Sequence, residues 1–231
     1  MTGRGCKARR WKARGWRCLA LVLAAGLALT ACTSSDAVSG QHHDHATVQP
    51  SELVDRPTSQ FAGFGLDPAQ PRPSFLLEDS TGADFEFGTQ TAGRPTLLFF
   101  GYTHCPEECP TTLADIQLAL KNIPATVRTR TLVVFVTTDP RRDSSPVIKK
   151  WLAQFTEGLS TGQFIGLTGT QTQINAAQAA AHIVIAEDGG ETHSTVVMLY
   201  GPDDYAHVSF ALSDTEREQM EHDLPVVAAM K

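Results

Sequence analysis

The 231-residue chain carries 19 basic and 25 acidic residues, a formal charge of −6, with 42% hydrophobic residues and five cysteines. Seven Lys and Arg but no Asp or Glu fall within residues 1–31, so the remainder has 12 basic against 25 acidic residues and a formal charge of −13. Such a surface argues against nucleic acid and against electrostatic binding to anionic lipid.

The N-terminal segment reads as a signal rather than as fold. Arg4, Lys7, Arg9, Arg10, Lys12, Arg14 and Arg17 form a basic region, Leu19 to Leu29 an apolar one, and Leu29-Thr30-Ala31-Cys32 ends it in small residues. The apolar run is short for a membrane span. Its ending resembles a bacterial lipobox, which implies cleavage before Cys32 and lipidation of that thiol. Arg9-Arg10 does not extend into a twin-arginine pattern, so the expected route is general export. Residues 32–70, rich in Ser, Gln, Asp and Pro without a helical or alternating period, read as a lipid-anchored linker. The tract Gln41-His42-His43-Asp44-His45 within it is either an auxiliary metal-capturing segment or a polar tether with incidental histidines.

The folded domain is expected over residues 71–231, long enough for one proper core. Pro73 to Asp79 and Asp84 to Phe87 read as two strands joined at Ser80-Thr81-Gly82-Ala83. Pro95 to Phe100 is wholly apolar, as for a central strand covered on both faces. A helix is expected over 110–121, carrying Leu113, Ile116, Leu118 and Leu120, and a strand over Thr131 to Thr137. Ser144 and Pro146 open a further helix bearing Val147, Ile148, Trp151, Leu152 and Phe155. Phe164 to Leu167 forms a strand, Thr170 caps a helix to about Ala181, and His182 to Ile185 extends as a strand. Ser194 to Leu199 and His207 to Leu212 pair antiparallel around Gly201-Pro202-Asp203-Asp204, and Ser213-Asp214 caps a closing helix. The order predicts a single α/β domain, a central β-sheet with helices on both faces.

The chemistry concentrates where the apolar strand ends, in Gly101-Tyr102-Thr103-His104-Cys105-Pro106-Glu107-Glu108-Cys109-Pro110. Residues four apart share one face of a helix, so Cys105 and Cys109 can meet at its first turns. A helix N-terminus favours thiolate, opposed here by Glu107 and Glu108. With Cys6 and Cys18 lost with the signal and Cys32 acylated, these are the only two thiols left. A structural bridge over so small a loop would remove little unfolded-state entropy. The residues themselves leave two uses open: a soft pair for a thiophilic metal such as Cu(I), or a reversible disulfide.

This motif resembles the Cys-Pro-x-x-x-Cys-Pro motif of the Sco/SenC family, thioredoxin-like copper proteins of cytochrome c oxidase assembly. The likeness extends to Thr137-Thr138-Asp139-Pro140-Arg141-Arg142-Asp143 and to Thr192-His193-Ser194 before a hydrophobic strand, and covers roughly residues 70–230. It implies a thioredoxin-like fold with a mixed sheet, and copper, as Cu(I) or Cu(II), held by Cys105, Cys109 and His193. It implies Asp139 close behind, where it could fix the imidazole tautomer, with His104 lining the site. The implied role is a chaperone, not an enzyme. It would sit in the cell membrane through its lipid, facing the periplasm or cell exterior. It would deliver copper to the CuA site of cytochrome c oxidase subunit II or reduce that site's cysteines, with another copper chaperone as a further partner. Two thiolates and an imidazole suit Cu(I), and the imidazole also supports Cu(II). Glu191-Thr192-His193-Ser194 lacks the proline that thioredoxin-like reductases carry before the corresponding strand, and three residues rather than two part the cysteines; both favour metal over dithiol exchange. Thr192 stands where the family often has Asp, which predicts weaker or faster-released copper. The competing class is an exported thiol–disulfide oxidoreductase or peroxidase acting through Cys105 and Cys109. His182, His207 and His222 read as ordinary strand-end or surface residues.

Overall fold

A computed structural model describes residues 60–160 and 162–231. The expected signal segment, Cys32 and the His42-His43-His45 tract lie outside the described residues. Among the described residues eight strands form one mixed sheet: β1 (Phe64–Pro71), β2 (Leu76–Asp79), β3 (Asp84–Glu86), β4 (Thr96–Gly101), β5 (Leu132–Thr137), β6 (Phe164–Thr168), β7 (Val197–Tyr200) and β8 (Tyr205–Phe210). Their spatial order is β1-β8-β7-β4-β5-β6-β2-β3. The helices are α1 (Phe87–Thr91), α2 (Glu108–Asn122), α3 (Ala125–Arg128), α4 (Ser145–Leu152), α5 (Gln171–Ala180) and α6 (Glu216–Ala228).

The two apolar strands are apolar because both their faces are covered. Leu97 and Phe99 of β4 and Val133 and Phe135 of β5 point into a core shared with Leu113, Ile116 and Leu120 of α2, Ile148 of α4 and Leu224 of α6. Leu98, Phe100, Val134 and Val136 point the other way, against Phe87 of α1 and Ile174 and Ala177 of α5. Each such side chain removed from water contributes roughly 1.5–3 kcal/mol. Leu118 and Val147, counted with the apolar faces of their helices, are instead exposed.

Topology places the functional ends. β4 and β5 run parallel in register from Thr96↔Leu132 to Gly101↔Thr137, so Gly101 and Thr137 finish at the same edge. β7 runs antiparallel to β4, with Phe99 opposite Val197. The loop leading into β7 therefore arrives where the loop leaving β4 departs.

Several expectations need correction. Residues 64–70, read as linker, belong with Pro71 to strand β1 on β8, so the domain begins before Pro71. The pattern was illegible because β1 is an edge strand, shifts register between Gly65 and Gln70, and contains prolines, which edges tolerate. Just ahead of it, the Asp223 carboxylate accepts the Ala62 and Gly63 N–H groups, both at 2.8 Å. His182–Ile185 is not a strand: the Gln178 side chain bonds Val184 O at 3.0 Å and Ala186 N at 3.3 Å, satisfying this backbone locally. Neither Ser213 nor Asp214 caps α6; Thr215 occupies that position without a side-chain bond. Ser144 holds the N-cap position of α4, also without one, whereas Thr170 and Gln173 form a full capping box on α5. The short α1 and α3 carried too few residues to show a period. Among the described residues no helix is long and apolar enough to cross a membrane.

One buried acid gives the fold a pH dependence. Glu216 opens α6 fully buried, and neither carboxyl oxygen has a hydrogen-bond partner. Burial, with Asp115 of α2 nearby, raises its pKa from 4.5 to about 7. The folded chain thus holds this proton more tightly than the unfolded one, and stability falls as pH rises from 4.5 to about 7, then levels. The slope is at most about 1.4 kcal/mol per pH unit. Glu216→Gln is expected to remove this slope and to stabilise the protein at pH 8 relative to wild type. Urea midpoints at pH 5 and pH 8 measure it; equal slopes in both proteins would refute the assignment.

Candidate metal centre

The cysteines occupy a tight turn and the first turn of α2. Cys105 precedes the helix, its N–H bonded to Tyr102 O at 3.2 Å, so the pair does not share a helical face as expected. They still meet, because the Cys109 N–H, free at the helix start, donates to Cys105 Sγ at 3.4 Å. Gly101 makes this possible: a Cβ there would lie 2.7 Å from Cys109 Sγ. Cys109 is fully buried and Cys105 nearly so, and both are free thiols. Burial pushes the Cys109 thiol up, with Cys105 and Glu108 adding to the rise and the Tyr102 backbone opposing it. The helix N-terminus does not make this sulfur a thiolate.

His193 reaches the same point from the loop before β7. Its Nε2 lies 3.5 Å from Cys109 Sγ, and its Nδ1 lies 2.9 Å from the Ser194 carbonyl oxygen. A carbonyl only accepts, so this bond requires the proton on Nδ1 and turns the Nε2 lone pair towards the sulfurs. The ring stands edge-on to Tyr102, centroids 5.4 Å apart at 89°. One ligand atom from each of Cys105, Cys109 and His193 lies within 4.8 Å of the others. Among the described residues this is the one group of three or more such side chains close enough to hold an ion.

The loop beneath His193 is seated by backbone. Glu187 N–H donates to Thr192 O at 2.8 Å, and the Thr138 hydroxyl donates to Gly190 O at 2.7 Å. Gly190 has φ +101°, and a Cβ there would fall 2.1 Å from Thr138 O, so only glycine lets the loop sit this close.

The two residues expected behind the ligands make other bonds. The buried Asp139 carboxylate does not orient His193: its Oδ2 pairs with Arg142 and its Oδ1 has no partner. The Ser194 carbonyl holds the imidazole tautomer instead. His104 is half exposed; its Nδ1 meets the Thr103 hydroxyl at 3.1 Å and the Asp143 carboxylate at 3.5 Å, and it does not join the thiols. Asp143 is the acid that sequence reasoning overlooked. Buried, it accepts the Thr103 N–H at 2.8 Å, the Thr103 hydroxyl at 2.6 Å and the Thr137 hydroxyl at 2.7 Å, pinning the cysteine loop to the end of β5. Its position in the Asp139-to-Asp143 stretch was visible; which carboxylate turns inward was not. A cleft of about 640 Å³ between Pro140-Arg141, Gln171 and residues 186–190 contains none of the three ligand candidates.

A sequence profile described as SCO1/SenC matches residues 66–228. The chain belongs to the SCO1/SenC family. Protein SenC of Rhodobacter capsulatus is 34% identical over 160 residues, 65% of this chain and 69% of that protein. A Stutzerimonas stutzeri protein is 36% identical over 138 residues, 57% of this chain and 64% of its own length. This chain therefore spans about two thirds of the length of these two relatives. Bradyrhizobium japonicum ScoI, solved with copper bound, aligns at 28% identity and a TM-score of 0.56, covering 68% of this chain and 99% of that one. The fold is thioredoxin-like, a mixed sheet with helices on both faces, as the sequence predicts.

Replacing Asp143 by Ala leaves two hydroxyls and one N–H without their acceptor. At about 1–3 kcal/mol for each buried polar group stranded, the loss should reach several kcal/mol, with Asn recovering part of it. Urea unfolding of both variants tests this; a loss below about 1 kcal/mol in the Ala variant would contradict the pinning role.

Proposed function

We propose that this SCO1/SenC protein binds copper through Cys105, Cys109 and His193 and hands it to the CuA site of cytochrome c oxidase subunit II during assembly. The observation that carries this reading is the convergence of two soft sulfurs and one imidazole nitrogen within 4.8 Å. That donor set fits Cu(I) through the sulfurs and Cu(II) through the added imidazole. The copper-bound state of Bradyrhizobium japonicum ScoI supports it. On uptake the two thiols give their protons to solvent, and Nε2 is already unprotonated because Nδ1 holds the hydrogen bond to Ser194 O. Release is ligand exchange: an acceptor thiolate displaces Cys105 first, the less buried sulfur, and Cys109 last. Lipidation at Cys32 would hold the domain to the outer face of the cell membrane, and the resemblance also supports loading by another copper chaperone.

A second reading rests on the same sulfurs. Both are reduced, and their closeness also suits a reversible disulfide, through which the protein would reduce the acceptor's cysteines.

Copper stoichiometry of the purified, reduced protein separates the readings. One tight equivalent is expected, with a thiolate-to-Cu(II) charge-transfer band lost in His193→Ala and affinity lowered at least about tenfold in Cys105→Ser and Cys109→Ser. No specific copper in the wild type, or wild-type binding in all three variants, would overturn the copper reading. Metal-free disulfide turnover abolished in Cys105→Ser and untouched in His193→Ala would favour the dithiol reading.

A further inference from the structure

We propose that Arg142 is the positioning residue of this centre: its guanidinium fastens the loop that carries His193 and so keeps the imidazole at Cys109. The inference rests on the copper reading for its consequence, but its geometry stands without metal.

Arg142 lies in the turn after β5 and joins three parts of the centre. Its Nε pairs with the Asp139 carboxylate, whose side chain is almost wholly buried and whose other oxygen has no partner. Its Nη2 donates to Glu191 Oε1 at 2.7 Å, two residues before His193. Its central carbon lies 5.7 Å from the centroid of the Tyr102 ring, the ring against which His193 stands edge-on. Tyr102 precedes the cysteine turn, so one cation meets the β5 turn, the cysteine loop and the His193 loop together.

The joints differ in strength, and the difference gives them separate duties. Buried carboxylate with a single cationic partner is the firm one, because breaking it would strand a charge in the protein interior. It fixes the root of the guanidinium. The bond to Glu191 is an exposed ion pair, weak and screened by salt. It is the part that can open. Otherwise His193 bonds only the carbonyl of its neighbour Ser194 and touches Cys109 and Tyr102. The Gly190 seat and the Glu187–Thr192 bridge hold the backbone of the loop without touching the ring.

The consequence is selective. Two sulfurs alone satisfy Cu(I), whereas Cu(II) gains from the nitrogen. Opening the Arg142–Glu191 joint should free the imidazole and weaken Cu(II) while sparing Cu(I).

Three variants test this: Glu191→Ala, which opens only the outer joint, since a Gln oxygen there would still accept the Arg142 N–H; Arg142→Lys, which keeps the charge but not the fork; and Arg142→Ala with Asp139→Asn, which avoids stranding the acid. In the metal-free protein, the His193 ring-proton NMR shifts, displaced by the Tyr102 ring, are expected to move towards free-imidazole values in all three. With copper, the Cu(II) dissociation constant is expected to rise about 10–100-fold, the range for lost support behind a metal ligand, while that for Cu(I) stays within about threefold. Salt at about 1 M should shift the wild-type resonances the same way. Unmoved His193 resonances in Glu191→Ala and Arg142→Lys would overturn the proposal, as would equal losses of Cu(I) and Cu(II). If the wild type takes up no copper, the copper reading fails, and the metal-free shifts alone decide whether Arg142 positions His193.

Discussion

The pairing of β4 with its two neighbours is the constraint on which the rest of the structure depends. Parallel pairing with β5 brings Gly101 and Thr137 out at one edge; antiparallel pairing with β7 returns the chain to that edge at Val197. Cys105 and Cys109 follow β4, Asp143 and Arg142 follow β5, and His193 precedes β7. Residues separated by as many as 88 positions thus become neighbours through backbone hydrogen bonds, before any of their side chains interact. The strands can serve this way because their side chains are committed to two cores, leaving only the ends free for chemistry.

At that edge the two acids of the Asp139–Asp143 turn divide the work. Asp143 takes three donors and ties the cysteine loop to β5; Asp139 takes one cation, which reaches onward to the His193 loop. Donors at ordinary hydrogen-bond lengths from a fixed backbone make the first a rigid tie. The second ends in an exposed ion pair and is adjustable. A centre that held and released an ion, as proposed, would need both kinds of support, and one five-residue turn carries them both.

Much of this was legible from residues alone, for physical reasons that also explain the gaps. Strands β4 and β5 announced themselves because strands buried on both faces become continuous apolar runs. The motif cysteines and His193 were marked by residue type and by flanking turns, and the structure brings those three together. Strand β1 was hidden because an edge strand carrying prolines owes its pairing to the backbone of β8, not to a side-chain pattern. His182–Ile185 looked like a strand because it is apolar, yet Val184 is largely exposed and a glutamine side chain satisfies the backbone. Asp139 and Asp143 could not be told apart, since which one faces the cysteines depends on the turn geometry between them. Arg142 and Glu191 form a tertiary pair, 49 positions apart, with nothing local to reveal it.

The burial of Cys109 bears on the choice between holding a metal and exchanging disulfides. Dithiol chemistry needs a free thiolate to attack or to leave, and burial penalises that species; the Cys109 thiol is pushed up, not down. A thiolate bound to a soft cation is a different species: its charge is compensated inside the protein, so the same apolar surroundings that oppose the bare anion strengthen its attraction to the ion. The Nε2 lone pair of His193, 3.5 Å away, is available to accept the thiol hydrogen while the metal is absent. The sulfur then need not be charged until a cation arrives, and His193 meets it in both states. Cys105, less buried than Cys109, is the sulfur an incoming partner would meet first, whether that partner brings an ion, takes one or offers a disulfide. The difference in burial between the two sulfurs would favour stepwise transfer of a bound ion, because each sulfur would face competition in turn.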